Sequence, residues 1–273
     1  MQGRRWTLPA HNSAGYLTGK AVESVTSQVQ LEKLTQQQAS FTGVTFEDFD
    51  WPAESEALRF SDCHFLDIRF TDDQLLECHF EDCEFDSCAF DSAQLSDCVF
   101  RKCKFYNSEK ETGCSFKFAA FPGTIFCHSD LSLCNFSRTN LYRIDMEQCQ
   151  GTGMDCSYAT TEQNIGPSVT LSSARFVDCN FSYADFTGAC LREADLSENR
   201  FSHALFNNAN LESAVLIDCD LHVIEARDLV IRGADLRGAQ ISGLDIRRID
   251  MTGVKINDFQ QRVLLEQIGM VIE

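Results

Sequence analysis

Fourteen cysteines, six histidines and 41 Asp or Glu residues in a chain of 273 are the side chains here that could do chemistry. Thiols with imidazoles can hold zinc or attack a carbonyl, and carboxylates can move protons or build an electrostatic field. The spacings that such chemistry needs are missing. There is no His-Glu-x-x-His, no Gly-x-Ser-x-Gly and no phosphate-binding glycine loop. The histidines, His11, His64, His79, His128, His203 and His222, are scattered. Eleven cysteines, Cys63, Cys78, Cys83, Cys88, Cys98, Cys103, Cys114, Cys134, Cys149, Cys179 and Cys219, recur at one position that Ala fills elsewhere, as at Ala184, Ala194 and Ala204. Interchange with Ala argues for a small buried hydrophobe rather than a ligand or a bridge. Stacked as a column, Cys63, Cys83 and Cys103 would still lie within the backbone range a disulfide spans. The pattern predicts no enzyme, no cofactor and no metal site. So many free thiols point to a reducing, cytoplasmic location.

The carboxylates carry the stronger signal. Net charge is −18, so nucleic acid is a poor direct partner. From Thr45 to Phe100 there are sixteen acids against two Arg, a local balance of −14. Asp62, Glu77, Asp82 and Asp97 each stand two residues after a large apolar residue, and Glu81, Glu84, Asp86 and Asp91 add to the field. Acid keeps a rod soluble, but solubility does not require one sign of charge. Regularly spaced carboxylates on a narrow rod resemble the phosphates of a duplex, so this surface is a candidate mimic of DNA.

What positions these groups is a period of five. Large apolar residues run Phe60, Phe65, Phe70, Leu75, Phe80, Phe85, Phe90, Leu95, Phe100, Phe105, then Phe116 to Met146, then Leu171, Phe176, Phe181 and onward to Ile256. Five is neither the 3.6 of a helix nor the 2 of a strand. These residues share one interior only if the chain turns a corner at every fifth residue. With a small residue two places earlier, each unit puts two side chains inward and three outward. Four units close a square coil, and stacked coils make a solenoid at the ~4.8 Å spacing of paired strands.

The pattern divides the chain. Residues 1–28 lack the repeat. Residues 29–256 form the β-helix, beginning loosely with Val29 and Leu31. Three breaks are expected: an acidic loop at 52–57, a bulge at 106–115 and an excursion at 160–170, where Gly166-Pro167 interrupts. Residues 257–273 read as a short helix and tail that cover the open end and, through Phe259, Leu264, Leu265 and Ile268, pair two copies as a homodimer. No apolar run approaches membrane-spanning length, and the N-terminus does not read as a signal peptide.

Units such as Ala184-Asp185-Phe186-Thr187-Gly188 and Ala194-Asp195-Leu196-Ser197-Glu198 resemble pentapeptide repeats. That resemblance implies an all-β fold, a right-handed quadrilateral parallel β-helix with a short C-terminal helix. FYNSEKETGCSF, Phe105 to Phe116, resembles the first loop of the quinolone-resistance (Qnr) branch, and LDIRRIDMTGVKINDFQQRVLLEQIGM, Leu244 to Met270, resembles its last coil and closing helix. The branch implies binding to DNA gyrase and topoisomerase IV, protection from quinolones or natural poisons, and dimerisation through the C-terminal end. It places contact at the first loop, Tyr106, Asn107, Ser108, Glu109, Lys110, Glu111, Thr112 and Gly113, and at the second, Thr161, Glu162, Gln163 and Asn164. The second loop departs from the branch in residue type, and about sixty N-terminal residues are additional. The competing reading is a scaffold or secreted effector that binds another protein.

Overall fold

The computed structural model describes residues 24–271, apart from residues 53, 71–73, 167–168 and 243. Most of the non-repeat segment 1–28, and parts of the stretches 52–57, 160–170 and 257–273, therefore lie outside the described residues.

The chain is a quadrilateral parallel β-helix. On the first face Phe41, Phe60, Phe80, Phe100, Phe126, Met146 and Phe176 stack in parallel register, and single bridges carry the column on past Asp195, Val215, Asp235 and Lys255. The second face stacks Phe46, Phe65 and Phe85, with Phe105, Leu131, Gly151 and Phe181 following. The third runs through Trp51, Phe70, Phe90, Phe116, Phe136 and Cys156. The fourth runs from Ser55 through Leu75 and Leu95 to Phe121, Leu141 and Thr161. Ring centroids of successive coils lie 4.4 Å apart for Phe70 and Phe90 and 4.7 Å for Phe80 and Phe100, nearly parallel. Across a corner the rings meet edge-on, as at 5.5 Å between Phe80 and Phe85. Both geometries suit the aromatic quadrupole.

Corners explain the outward chemistry. Each turn uses a residue in the left-handed region, such as Asp62 (φ 50°), Asp82 (φ 51°) and Asp97 (φ 52°). Asp and Gly tolerate that conformation, yet Phe118, Leu133, Arg138, Tyr158 and Tyr183 occupy it further along. The corner therefore admits many side chains. Its acid content in the early coils is a choice of sequence, not a demand of the backbone.

Three segments differ from the sequence expectation. Residues 28–35 are not repeat but an α-helix, α1 (Gln28–Thr35), whose cap Ser27 accepts a bond from the Gln30 amide. Val29 is 59% exposed and Leu31 is buried. The polar run buries Leu31, packs Leu34 partly against the core and has a good N-cap, so a helix lying over the open coil satisfies it better than a strand. The stretch 52–57 is not a loop: Glu54–Glu56 is a strand paired with Gln74–Leu76. One residue is missing from that coil, and buried Ser55 takes the large position, with the Trp51 indole donating to its hydroxyl at 2.9 Å. Leu171, in phase with the core, is instead 42% exposed in a hairpin.

Gly151, Cys156 and Thr161 are buried although none is large. Met154, at a normally small position, is fully buried beside them. A Cβ on Gly151 would stand 2.7 Å from the Phe181 ring and 3.3 Å from the Met154 sulfur. Large and small have exchanged places within one coil, conserving volume. Ile224 and Ala226 make the same exchange.

At the far end α2 (Gln260–Gln267) caps the last coil. The Gln260 amide, 6% exposed, donates to the carbonyls of Leu236 and Ala239 at 2.7 and 2.8 Å. It thereby satisfies strand-edge acceptors that a following coil would otherwise cover.

Candidate protein-binding surface

The 106–115 break is a six-residue insertion. It lies within one step of the coil, since Phe105 belongs to the second face and Phe116 to the third. Its strands Tyr106–Asn107 and Thr112–Gly113 pair antiparallel. Residues 108–112 are exposed. The Asn107 side-chain oxygen accepts from the amides of Glu109 and Lys110, both at 2.9 Å, closing the tip. Its Nδ2 donates to Asp86 at 2.8 Å, and the Lys110 ammonium reaches the same carboxylate at 3.1 Å. Gly113 passes so close to the next coil that a Cβ there would meet the backbone of Leu133 and Cys134 at 2.4 Å.

The second excursion is a hairpin too. Glu162–Gly166 pairs with Val169–Ser172, inserted between Thr161 of the fourth face and Phe176 of the first. Thr161 is a buried core position that holds the hairpin base, bonding the Ser172 hydroxyl at 2.9 Å. Glu162 faces Arg192 at 3.6 Å, and Gln163 accepts from Asn140 at 3.2 Å. Asn164 accepts from Thr170 at 2.7 Å. Ile165 and Val169 are 60% and 49% exposed, an apolar edge that polar Thr160–Thr170 gave little sign of. The two hairpins leave from diagonally opposed corners, so the structure does not join them in one site.

The four singled-out acids form two rows. Asp62 and Asp82 stack at the corner between the first and second faces, and Glu77 and Asp97 at the corner between the fourth and first. They bracket the first face, where Arg59, His79 and Arg101 point outward among them. Among the described residues, Asp82 is the one of the four with a cation within 4 Å, Lys102 at 3.8 Å. The wider field is weaker than the composition implied. Glu84 pairs with Lys104 at 2.6 Å, and that bond holds its carboxyl below the ordinary range. Asp50 pairs with Arg69 at 2.5 Å. Asp86 is tied to the first hairpin.

Burial pushes the Asp86 carboxyl up, but donors from Ser87, Lys110 and Asn107 outweigh it and leave the group below the ordinary aspartate value. A depressed folded value means that the tether is intact above the unfolded value, about 4. It is lost as pH falls through the lower folded value. An NMR titration of the Asp86 carboxyl carbon is expected to give a midpoint below about 3.9, with the Lys110 signals shifting in step. A midpoint at or above that value would remove the tether.

Twelve of the thiols are buried, and Cys127 and Cys190 are half-buried. All fourteen cysteines are free. The neighbouring Cys103 thiol and burial push Cys83 up to about 12, and burial pushes Cys219 to about 12. No group of three or more metal-ligating side chains occurs among the described residues, and no helix there is long and apolar enough to cross a membrane. On α2, Leu264 is a correction: it is 8% exposed, packed on the last coil, and cannot face a second copy. Leu265 is half-buried. Phe259 (77% exposed) and Ile268 (48%) do face outward, joined by Val263, which the sequence reading missed. Its spacing of four from Phe259 was the available signal.

Comparison with known proteins agrees with this architecture. The family model for pentapeptide repeats matches eight copies, over residues 112–149, 168–197 and 200–222. The pentapeptide repeat protein QnrB4 of Escherichia coli is 33% identical over 99 residues, 36% of this chain and 46% of that protein. The quinolone resistance pentapeptide repeat protein QnrB96 of Scandinavium goeteborgense is 31% identical over 109 residues, 40% of this chain and 51% of that protein. The chain thus spans about half the length of these curated relatives. The structure of full-length QnrB1, a plasmid-mediated fluoroquinolone resistance protein, superposes with a TM-score of 0.68 at 27% identity, covering 80% of this chain and 100% of that one. Repeat, coil and hairpin-bearing rod together make this chain a pentapeptide-repeat β-helix that is similar to the Qnr proteins.

Proposed function

We propose that this protein binds the bacterial type II topoisomerases, DNA gyrase and topoisomerase IV, and protects them from quinolones or natural poisons, by binding alone and without turnover. One observation carries the reading. A tethered hairpin interrupts an otherwise regular rod, in a chain similar to proteins named for quinolone resistance. The two acidic rows flanking the first face supply the second element. They steer the rod toward a basic DNA-binding saddle, and the hairpin acts where the drug complex forms.

A gyrase supercoiling assay with a quinolone present tests the reading, since a scaffold or effector would leave inhibition unrelieved. Replacing Asp62, Glu77, Asp82 and Asp97 together by Lys is expected to weaken gyrase binding by at least tenfold in moderate salt. Equal binding by the reversed protein would assign these acids to solubility.

The functional unit is proposed to be a homodimer through α2. Phe259 and Val263, one turn apart, leave an exposed apolar pair beside the capped coil end, with Ile268 exposed at the other end of α2, and a two-fold partner would bury this surface. Phe259→Asp with Val263→Asp is expected to give a monomer by light scattering with the solenoid intact. A doubly substituted protein that remains dimeric would move the interface elsewhere.

A further inference from the structure

We infer that Asp86 is a positioning residue, the fixed point that holds the first hairpin in the conformation it presents to a partner. The inference rests on the reading of that hairpin as the contact element. The hairpin has little to hold it by itself. It has two ladder pairs, Tyr106 with Gly113 and Asn107 with Thr112, and an exposed tip with no buried side chain. A hairpin of this size is marginal in water without outside support.

Two supports are visible. From one side, Gly113 is wedged under the backbone of Leu133 and Cys134, which fixes where the chain re-enters the coil but not where the tip points. From the other, Asp86 lies one coil earlier on the strand Glu84–Asp86, 21 residues before Asn107. Asn107 works in two directions: its oxygen ties the tip amides and its nitrogen ties Asp86. Lys110 closes the arrangement, bonding Asp86 at 3.1 and 3.3 Å and the Ser87 hydroxyl at 3.0 Å. Ser87 in turn donates to Asp86 at 2.9 Å. The Asp86 side chain is 19% exposed and Lys110 52%, so the carboxylate is partly covered while the ammonium end of these charge-assisted bonds stays open to water. Removing the carboxylate leaves the turn bonds inside Asn107, the Gly113 wedge and the Lys110–Ser87 bond, but no charged anchor between the tip and the rod.

The experiment uses the full chain with Asp86→Ala and Asp86→Asn, and reads amide exchange of residues 107–112 in the free protein. Exchange is expected to rise on the order of tenfold in Asp86→Ala, the loss of a hydrogen bond to a charged group. Asp86→Asn, which keeps an acceptor for Asn107 but no charge for Lys110, is expected to fall between. The thermal midpoint is expected to stay in place, because Asp86 points outward. In a gyrase assay with a quinolone, the half-protecting concentration of Asp86→Ala is expected to rise several-fold, with the conservative Asn variant again between. Unchanged exchange in Asp86→Ala overturns the inference. Faster exchange with unchanged protection overturns the positioning role. A chain lacking residues 107–112 that still protects sinks the reading of the hairpin as contact element instead, and the exchange result then decides by itself whether Asp86 is its fixed point.

Discussion

Excision of residues 107–112 is expected to abolish protection of gyrase while the solenoid stays folded. The arithmetic of the coil is the reason. Phe105 and Phe116 occupy adjacent faces, yet they stand eleven residues apart. Removing six brings them to five, the regular step, with Cys114 at the small inward position. The bonded pair Tyr106 and Gly113 becomes contiguous, so the ends already lie together. No buried side chain is lost, and the stability change is expected to stay within about 1 kcal/mol. Circular dichroism and a thermal melt check the fold; supercoiling with a poison checks protection. A folded, excised protein that protects at the parent's concentration removes the hairpin from the mechanism.

Phe181→Asp carries the largest expected loss of stability. Phe181 is 1% exposed, parallel to Phe201 at 5.7 Å and edge-on to Phe186 at 5.8 Å. Gly151, on the coil before it, supplies no polar atom beyond its backbone. A carboxylate there has no cation and no free donor, so burial costs about 5 kcal/mol or more, as much as the whole margin of many domains. The variant is expected to be unfolded or insoluble at 25 °C, while Phe181→Leu loses only about 1–3 kcal/mol. Urea titrations followed by circular dichroism would show this, and a Phe181→Asp protein with the parent's midpoint would contradict the stacked core.

The core was legible because its signal is repeated: one misplaced residue cannot hide a column like Phe60, Phe80 and Phe100. What the period concealed was exchange and insertion. Gly151 and Thr161 read as failures of the repeat because volume had moved to Met154 or into a polar hairpin base. Leu171 read as core because the second hairpin adds ten residues, two whole periods, so the phase survives the interruption. The first hairpin adds six, and the shift exposes it. Asp86 looked like any other outward acid, because its partners lie 21 and 24 residues later and nothing local distinguishes it. Val29 and Leu31 misled in the opposite sense. Two apolar residues at the spacing of a strand sit on a helix whose cap, Ser27, is the better signal.

Each hairpin enters and leaves the rod at its own single corner: Tyr106 pairs with Gly113, and the Ser173 amide donates to the Thr161 carbonyl at 3.2 Å. Closing a loop between ends that already touch costs free energy that grows only with the logarithm of its length, about 0.6 kcal/mol per doubling. The coils on either side register through their own columns whatever stands between. Such a rod can lengthen, shorten or replace what it displays at a corner without renegotiating its interior. Its binding specificity is thereby free to change faster than its fold.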